Sequence, residues 1–314
     1  MFARIRKRKF DFKALCKEAG MGARKYLLLT HRGFGKRGKI AENSLEAFGA
    51  ATKLGFVGHE LDVRLSRDKT VMIFHGPDLS TTTDGHGLIE DTDFSDIRAL
   101  NCGNYLSKEE PAKSQRGKKP KTCAIPTLEE YLAKFGKTCF TNIEIKREWF
   151  NIKDGLEDKA IGLVRQFQCE KKVVFSSFNL LSVYRLRTRQ PNILVGQLID
   201  RQRIAWLWIP LCIRFLKPDS IHLHSDMATE KWVRYIKNHD CGVAVWGVND
   251  KTKLENLVNL GVEFLITDNM ELANLEKPRK PGKPEKLGKK EAKKPTRKPT
   301  PKATPKPVKK TPKK

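Results

Sequence analysis

Nine short apolar runs, rich in β-branched and aromatic residues, recur along the chain. They are "KYLLLTH" (25–31), "VGHELDV" (57–63), "TVMIFH" (70–75), "FTNIEIK" (140–146), "KVVFSS" (172–177), "ILVGQLI" (193–199), "DSIHLH" (219–224), "GVAVWGV" (242–248) and "EFLITD" (263–268). Runs of this length and composition predict strands. Helical patterns separate most of them. The pattern over 43–54 opens at Asn43, a predicted N-cap, with Glu46 three residues on and Gly55 at its end. Such alternation of strand and helix predicts a parallel sheet. One pair breaks it: only "SRDK" separates "GHELDVRL" from "TVMIFH". Parallel neighbours need a crossover of about a dozen residues, so this pair is expected to be an antiparallel hairpin. With its return strand set aside, eight strands remain, the number in a (β/α)8 TIM barrel. The hairpin leads an insertion over about 66–127 that leaves the barrel at the carboxyl end of strand 2.

Polar residues then interrupt the strands in a telling way. In "GHELDVRLS", Glu60 and Asp62 stand two residues apart, so both point to one face of the strand. Burying two like charges is costly without compensation. A barrel carries its active site at the carboxyl ends of its strands. There the pattern collects His31 and Arg32 after strand 1, Glu60 and Asp62 on strand 2, Glu144 and Lys146 on strand 3, and Trp246 on strand 7. His75 returns to the same rim by the hairpin. It falls opposite Asp62 with a two-residue turn and opposite Leu61 with a three-residue turn, and both registers stay open. The three carboxylates are hard oxygen donors suited to Mg²⁺ or Ca²⁺. Arg32 and Lys146 beside them suit a phosphate, and two histidines supply a proton acceptor and a proton donor near neutral pH. The set reads as metal-assisted phosphodiester cleavage. Each residue also has a plainer reading: a salt-bridged rim for the carboxylates, helix capping for Glu42 and Asn43, and a structural role for His59 on the opposite face. Of His222 and His224, one is expected to face the pocket.

Composition changes the picture at the C-terminus. Residues 277–314 hold 17 Lys and Arg against 2 Glu, and nine of the sixteen prolines. Taking this +15 from the chain's +26 leaves +11 for residues 1–276. The segment cannot bury enough apolar surface to offset chain entropy, and is expected to be a disordered basic tail. The seven scattered cysteines include no C-x-x-C pair, which argues against a disulfide framework and for a reducing compartment. Residues 1–25 form a basic segment with no apolar stretch of a secretory signal. The apolar run "IAWLWIPLCI" (204–213) is shorter than the about 20 residues that span a bilayer. It is read equally as an apolar lip for lipid at the rim or as the buried face of a helix. The expectation is a cytoplasmic protein, peripheral to a membrane at most.

In order along the chain, "HRGFGKRGKIAENSLEAF", "GHELDVRLSRDKTVMIFHGPDLSTTTDG", "IPTLEEYL", "NIEIK", "VVFSSF" and "VWGVND…ITD" resemble the motifs of the glycerophosphodiester phosphodiesterases. The resemblance spans about residues 26–275. It implies a (β/α)8 barrel that hydrolyses glycerophosphodiesters to glycerol 3-phosphate and an alcohol, in lipid metabolism, with a divalent cation. It matches His31 and His75 to the acid–base pair, Glu60, Asp62 and Glu144 to the metal ligands, and Arg32 and Lys146 to the phosphate contacts. Trp246 matches an aromatic near the glycerol pocket, with Phe178 a second candidate. Two positions depart from the family pattern: Gly76 stands where Asp usually follows the second histidine, and Thr81 where Arg usually precedes the Thr pair. A close variant of the activity is lysophospholipase D-like hydrolysis of lysophospholipids. The competing class is a non-catalytic barrel whose tail binds anionic membrane or nucleic acid.

Overall fold

A computed structural model of the chain describes residues 5–34, 40–103, 123–147, 155–200 and 205–275. The described residues all belong to one compact unit. The tail and most of the Lys-rich stretch of the insertion lie outside the described residues.

Eight parallel strands close into a barrel, as the alternation predicts. They are β1 (Leu27–His31), β2 (Gly58–Leu65), β4 (Phe140–Ile145), β5 (Val173–Ser177), β6 (Leu194–Leu198), β7 (Ser220–His224), β8 (Gly242–Trp246) and β9 (Phe264–Thr267). Pairing of β1 with both β2 and β9 completes the ring. The ninth strand, β3 (Val71–Ile73), pairs antiparallel with β2 as the predicted hairpin. Val63 faces Ile73 and Leu65 faces Val71, which extends to the register placing His75 opposite Leu61. The cause is a three-residue connection in which Ser66 pairs with Thr70 and Lys69 takes the left-handed conformation, φ 67°.

The helices are α1 (Phe12–Glu18), α2 (Leu45–Leu54), α3 (Phe94–Ala99), α4 (Leu128–Phe135), α5 (Leu156–Gln166), α6 (Leu180–Arg189), α7 (Ala205–Leu211, continued by a π-turn over Cys212–Leu216), α8 (Glu230–Asn238) and α9 (Lys251–Asn259). The apolar stripes of α2 and α4–α9 cover the outer barrel wall, for example Phe48 and Tyr131 against Leu61 and Val63, while α3 packs within the insertion and α1 at the end of the barrel. His59 is buried in this shell, as its outward parity predicts, bonded to the Tyr131 hydroxyl at 2.9 Å.

Inside the barrel the amino ends of the strands are apolar. Leu27, Leu29, Phe140, Phe264 and Ile266 pack together, with the Phe140 and Phe264 rings stacked at 5.5 Å. The basic N-terminal segment closes this floor from below. Phe10 and Phe12 lie 6.0 and 5.7 Å from the Phe264 ring, and Arg8 binds Asp219 at 2.8 Å. A side chain at Gly242 would strike the Phe10 ring at 2.6 Å, so the close approach requires glycine there.

The cysteine expectation is corrected. Cys102 and Cys123 form a disulfide across 21 residues of the insertion, while Cys16, Cys139, Cys169, Cys212 and Cys241 are buried free thiols. The bridge joins positions too far apart for any short spacing motif to reveal. It also removes the cysteine argument for a reducing compartment, because disulfides persist in oxidising surroundings.

Candidate active site

The strand register brings the predicted residues to one rim. His31 pairs with Glu60, and Asp62 with Glu144, on adjacent strands. Ligand atoms of Glu60, Asp62 and Glu144 all lie within 4.8 Å of one another, and all three residues are buried. Arg32 Nε lies 3.0 Å from Asp62 Oδ2, and Lys146 Nζ lies 3.2 Å from Asp62 Oδ1 and 2.6 Å from Glu144 Oε1. Lys146 hydrogen-bonds Glu144 at that distance, whereas its approach to Asp62 Oδ1 is poorly directed and leaves this buried oxygen without a hydrogen bond.

The electrostatics separate the three carboxylates. Burial pushes Glu60 up to about 8, and the charge of Asp62 adds to it. Burial also raises Glu144, against the pull of Lys146. For Asp62 burial acts the same way, but Lys146, Arg32 and His75 outweigh it and hold the carboxyl well below its usual range. Two cations therefore stand against three buried carboxylates: they hold Asp62 ionised, Lys146 also binds Glu144, and the set as a whole stays short of one positive charge. Hard oxygens, one of them without a hydrogen bond, in a set short of positive charge, fit a divalent cation.

His31 is oriented by a residue that the strand pattern did not single out. Its Nδ1 donates to Asp268 Oδ1 at 2.8 Å, leaving Nε2 to face Glu60 Oε2 at 3.8 Å. Asp268 is itself held by Asn249, which donates to its carboxylate at 3.2 Å and accepts from its backbone N–H at 2.8 Å. Burial works to lower the His31 pKa, yet Glu60 and Asp268 raise it overall. The signal was available: Asp268 follows the last strand at its carboxyl end, where rim residues sit.

His75 is half-buried at the end of the hairpin and feels the charges of Asp62, Arg32, Lys146 and His31. Burial lowers it to about 3, so its imidazole is neutral. Its backbone carbonyl accepts from Arg64 Nε at 3.0 Å, which anchors the hairpin to β2.

The capping roles expected of Asn43 and Glu42 are corrected. Ser44 caps α2, accepting from the Ala47 N–H at 3.1 Å. Asn43, at φ 55°, turns its side chain to the site, where Nδ2 donates to Asp62 Oδ2 at 2.9 Å. Glu42 accepts from Arg32 at 3.3 Å. The stronger capping pattern, Asn43 with Glu46, gave way because Asn43 has a buried carboxylate to satisfy and Ser44 can close the helix alone.

An aromatic wall completes the rim. Trp246 meets His224 edge-on at 4.5 Å and Phe178 edge-on at 6.4 Å, and the Lys146 ammonium lies 5.9 Å from the Phe178 ring. Thus His224 is the member of its pair at the rim. His222 is buried one layer below and bonds Ser220 at 2.9 Å. The two departures from the family pattern also prove to be neighbours: a Cβ on Gly76 would meet Thr81 Oγ1 at 2.7 Å. Asp78 does not orient His75 in place of a residue at 76; it caps a 3-10 turn by accepting from the Ser80 N–H at 2.8 Å.

Comparisons with known proteins agree with this geometry. The model of the glycerophosphoryl diester phosphodiesterase family matches residues 31–272. A glycerophosphodiester phosphodiesterase of Caldanaerobacter subterraneus is 30% identical over 253 residues, 80% of this chain and 98% of that protein. A phosphodiesterase of Oleispira antarctica, solved in complex with the product sn-glycerol-3-phosphate, superposes with a TM-score of 0.63 at 26% identity, covering 79% of this chain and 95% of that one. The glycerophosphodiester phosphodiesterase of Thermotoga maritima superposes with a TM-score of 0.58 at 25% identity, covering 80% and 97%. With the family model spanning most of the barrel, and the acidic rim in place, the chain belongs to the glycerophosphoryl diester phosphodiesterase family of phosphoric diester hydrolases.

Proposed function

We propose that the unit of residues 26–276 hydrolyses glycerophosphodiesters to glycerol 3-phosphate and an alcohol. The observation that carries this reading is the meeting of Glu60, Asp62 and Glu144 with Arg32, Lys146 and His31 at one rim. The three carboxylates would hold Mg²⁺ or Ca²⁺, which when bound polarises a phosphoryl oxygen. Arg32 and Lys146 take the remaining phosphate charge, and being already anchored to Asp62 they need little reorganisation to do so. His31 and His75, both at the rim, supply the proton donor and acceptor. Trp246 and Phe178 offer apolar faces to the glycerol carbons.

Lysophospholipids are the second substrate class, favoured by the exposed apolar side chains of α7 beside the rim. Lipid metabolism is the proposed setting, with residues 277–314 making salt-sensitive contact with anionic membrane or nucleic acid. The test is release of glycerol 3-phosphate from a panel of soluble diesters and lysolipids, with and without EDTA. Expected is cation-dependent release, with His31→Ala and His75→Ala each at least about 10²-fold slower. Unchanged release in EDTA, or a His75→Ala variant at normal rate, would overturn the assignment.

A further inference from the structure

We propose that α7 and its π-turn are a membrane-interface element that seats on the surface of an anionic phospholipid bilayer. The inference stands on the outer wall of the barrel and not on the hydrolase reading. Barrel helices ordinarily turn a polar face to water, and α8 and α9 do so with Lys231, Arg234, Lys251 and Glu255. In α7 the buried side is apolar, with Ile209, Cys212 and Ile213, but the outward side is apolar too. Trp206 is 64% exposed, Leu207 44%, Trp208 37% and Phe215 66%. Of the seven large apolar residues exposed among the described ones, four lie on this one element. Its single charge is Arg214, whose guanidinium lies 5.7 Å from the Phe215 ring.

The occupant follows from side-chain type and charge. Tryptophan and phenylalanine with an interleaved arginine suit the boundary between headgroups and acyl chains, where indole rings keep one edge wet. The surroundings are cationic. Lys217 donates to the Ile5 carbonyl at 2.9 Å and Arg187 to the Arg6 carbonyl at 3.0 Å, which sets exposed Arg6 and Lys7 beside the end of the π-turn. The acids nearest in this network, Asp219 and Asp240, are already paired with Arg8, Arg187 and Lys7. Net positive charge around an apolar face complements an anionic bilayer. None of the described helices is long and apolar enough to cross a membrane, so α7 lies along the surface. Because it follows β6, its tryptophans lie toward the rim end of the barrel, and seating brings the active-site mouth near the lipid.

The test uses the full-length protein on vesicles of phosphatidylcholine with phosphatidylglycerol, and on phosphatidylcholine alone. Wild type is compared with Trp206→Ser/Trp208→Ser/Phe215→Ser by co-sedimentation at low and high salt. The attraction of the tail's charges is screened at high salt, whereas apolar burial is not. Expected is tighter binding to the anionic vesicles, quenching of wild-type tryptophan fluorescence by brominated acyl chains, and a loss of affinity of at least about 10-fold in the variant at both salts. The thermal melt of the variant should match wild type. If the triple variant fails to fold, Trp206→Ser alone should still lose several-fold affinity. Equal vesicle binding by wild type and variant overturns the proposal. So does a wild-type dimer that the substitutions convert to monomer, which would make a second copy the occupant.

Discussion

The floor and the rim of the barrel are built from the same strands and filled by opposite chemistry. Along β4 the inward side chains run Phe140, Asn142, Glu144; along β1, Leu27, Leu29, His31; along β9 and just past it, Phe264, Ile266, Asp268. Each strand begins as packing and ends as charge. At the floor the rings satisfy one another completely, and the N-terminal segment seals them with Phe10 and Phe12. At the rim satisfaction is partial: two cations, Arg32 and Lys146, stand against three buried carboxylates, so Asp62 is held low while burial leaves Glu60 and Glu144 raised. A layer that is fully satisfied can only stabilise. A layer with unmet electrostatic demand can bind a cation and a phosphate, and the fold tolerates it because the floor has already secured the barrel.

The sharpest way to break this comparison is to disarm the rim and watch the fold. Asp62→Asn and Glu144→Gln should each reduce turnover by about 10³-fold or more, since a cation site worth several kcal/mol is lost. In EDTA Glu144→Gln should unfold no more easily than wild type, because burial and Asp62 already disfavour its charge. Asp62→Asn should unfold more easily, because it leaves Arg32 and Lys146 without their shared counter-charge. Calorimetry of Mg²⁺ or Ca²⁺ binding to EDTA-treated protein checks the first half, and denaturant melts the second. A Glu144→Gln variant with wild-type turnover would end the metal assignment.

The converse change strikes the floor. Phe264 is 1% exposed and meets three aromatic rings, so Phe264→Ala should cost about 3 kcal/mol of stability by transfer and cavity terms together. Turnover per folded molecule should stay within about two-fold at a temperature where the variant is native. A large fall in turnover with little change in the melt would mean that the floor sets the rim geometry, and the two layers would not be separable.

How much of this was legible in the sequence follows the same division. The strands were readable because period-two apolar runs are local, and the rim because side chains at strand ends must collect there once the barrel closes. His31, Arg32, Glu60, Asp62, Glu144, Lys146 and Trp246 needed no more than that. What escaped depends on partners distant in sequence. Asn43 looked like a cap because its real partner, Asp62, lies 19 residues on in another element. The Cys102–Cys123 bridge spans the insertion and has no spacing signature. The sealing role of residues 5–18 was hidden because a basic segment reads as solvated until Phe10 and Phe12 are seen under the barrel. Of the two readings of "IAWLWIPLCI", the buried helix face is seen in Ile209, Cys212 and Ile213, while the lip for lipid stays a proposal that the exposed Trp206, Leu207 and Trp208 motivate.

Between floor and rim, His222 offers a smaller test through pH. Burial lowers its pKa to about 3. Its unfolded value lies near 6.5, so below that pH the unfolded chain binds the proton and the native state does not. Stability from this group is therefore fully present above about pH 6.5 and is lost as pH falls toward 3. The slope is about 1.4 kcal/mol per pH unit within that window. His222→Asn should flatten the dependence of unfolding free energy by that amount between pH 6 and 5, measured by denaturant titration. Buried His59 contributes in the same direction and remains in the variant, so some slope persists. An unchanged slope would show that His222 is protonated in the native barrel.

The smallest expected effect lies where the chain leaves its family's pattern. Gly76 and Thr81 face each other, with a Cβ at 76 only 2.7 Å from a Thr81 hydroxyl that already donates to the Asp78 carbonyl at 2.8 Å. The two departures are thus one paired change, a small residue at each position where the family pattern has an acid and a base. Gly76→Asp alone should crowd Thr81, cost about 1 kcal/mol of stability, and lower turnover a few-fold by displacing His75 next to it. Gly76→Asp with Thr81→Arg should recover most of both losses, because the longer guanidinium can swing clear and pair with the new carboxylate. The double-mutant cycle is then expected to give a coupling of about 1 kcal/mol. Additive effects would show that the two positions changed independently. A Gly76→Asp variant that gains turnover without losing stability would show that the rim here is under-supported, and that the layer above the floor can be improved one residue at a time.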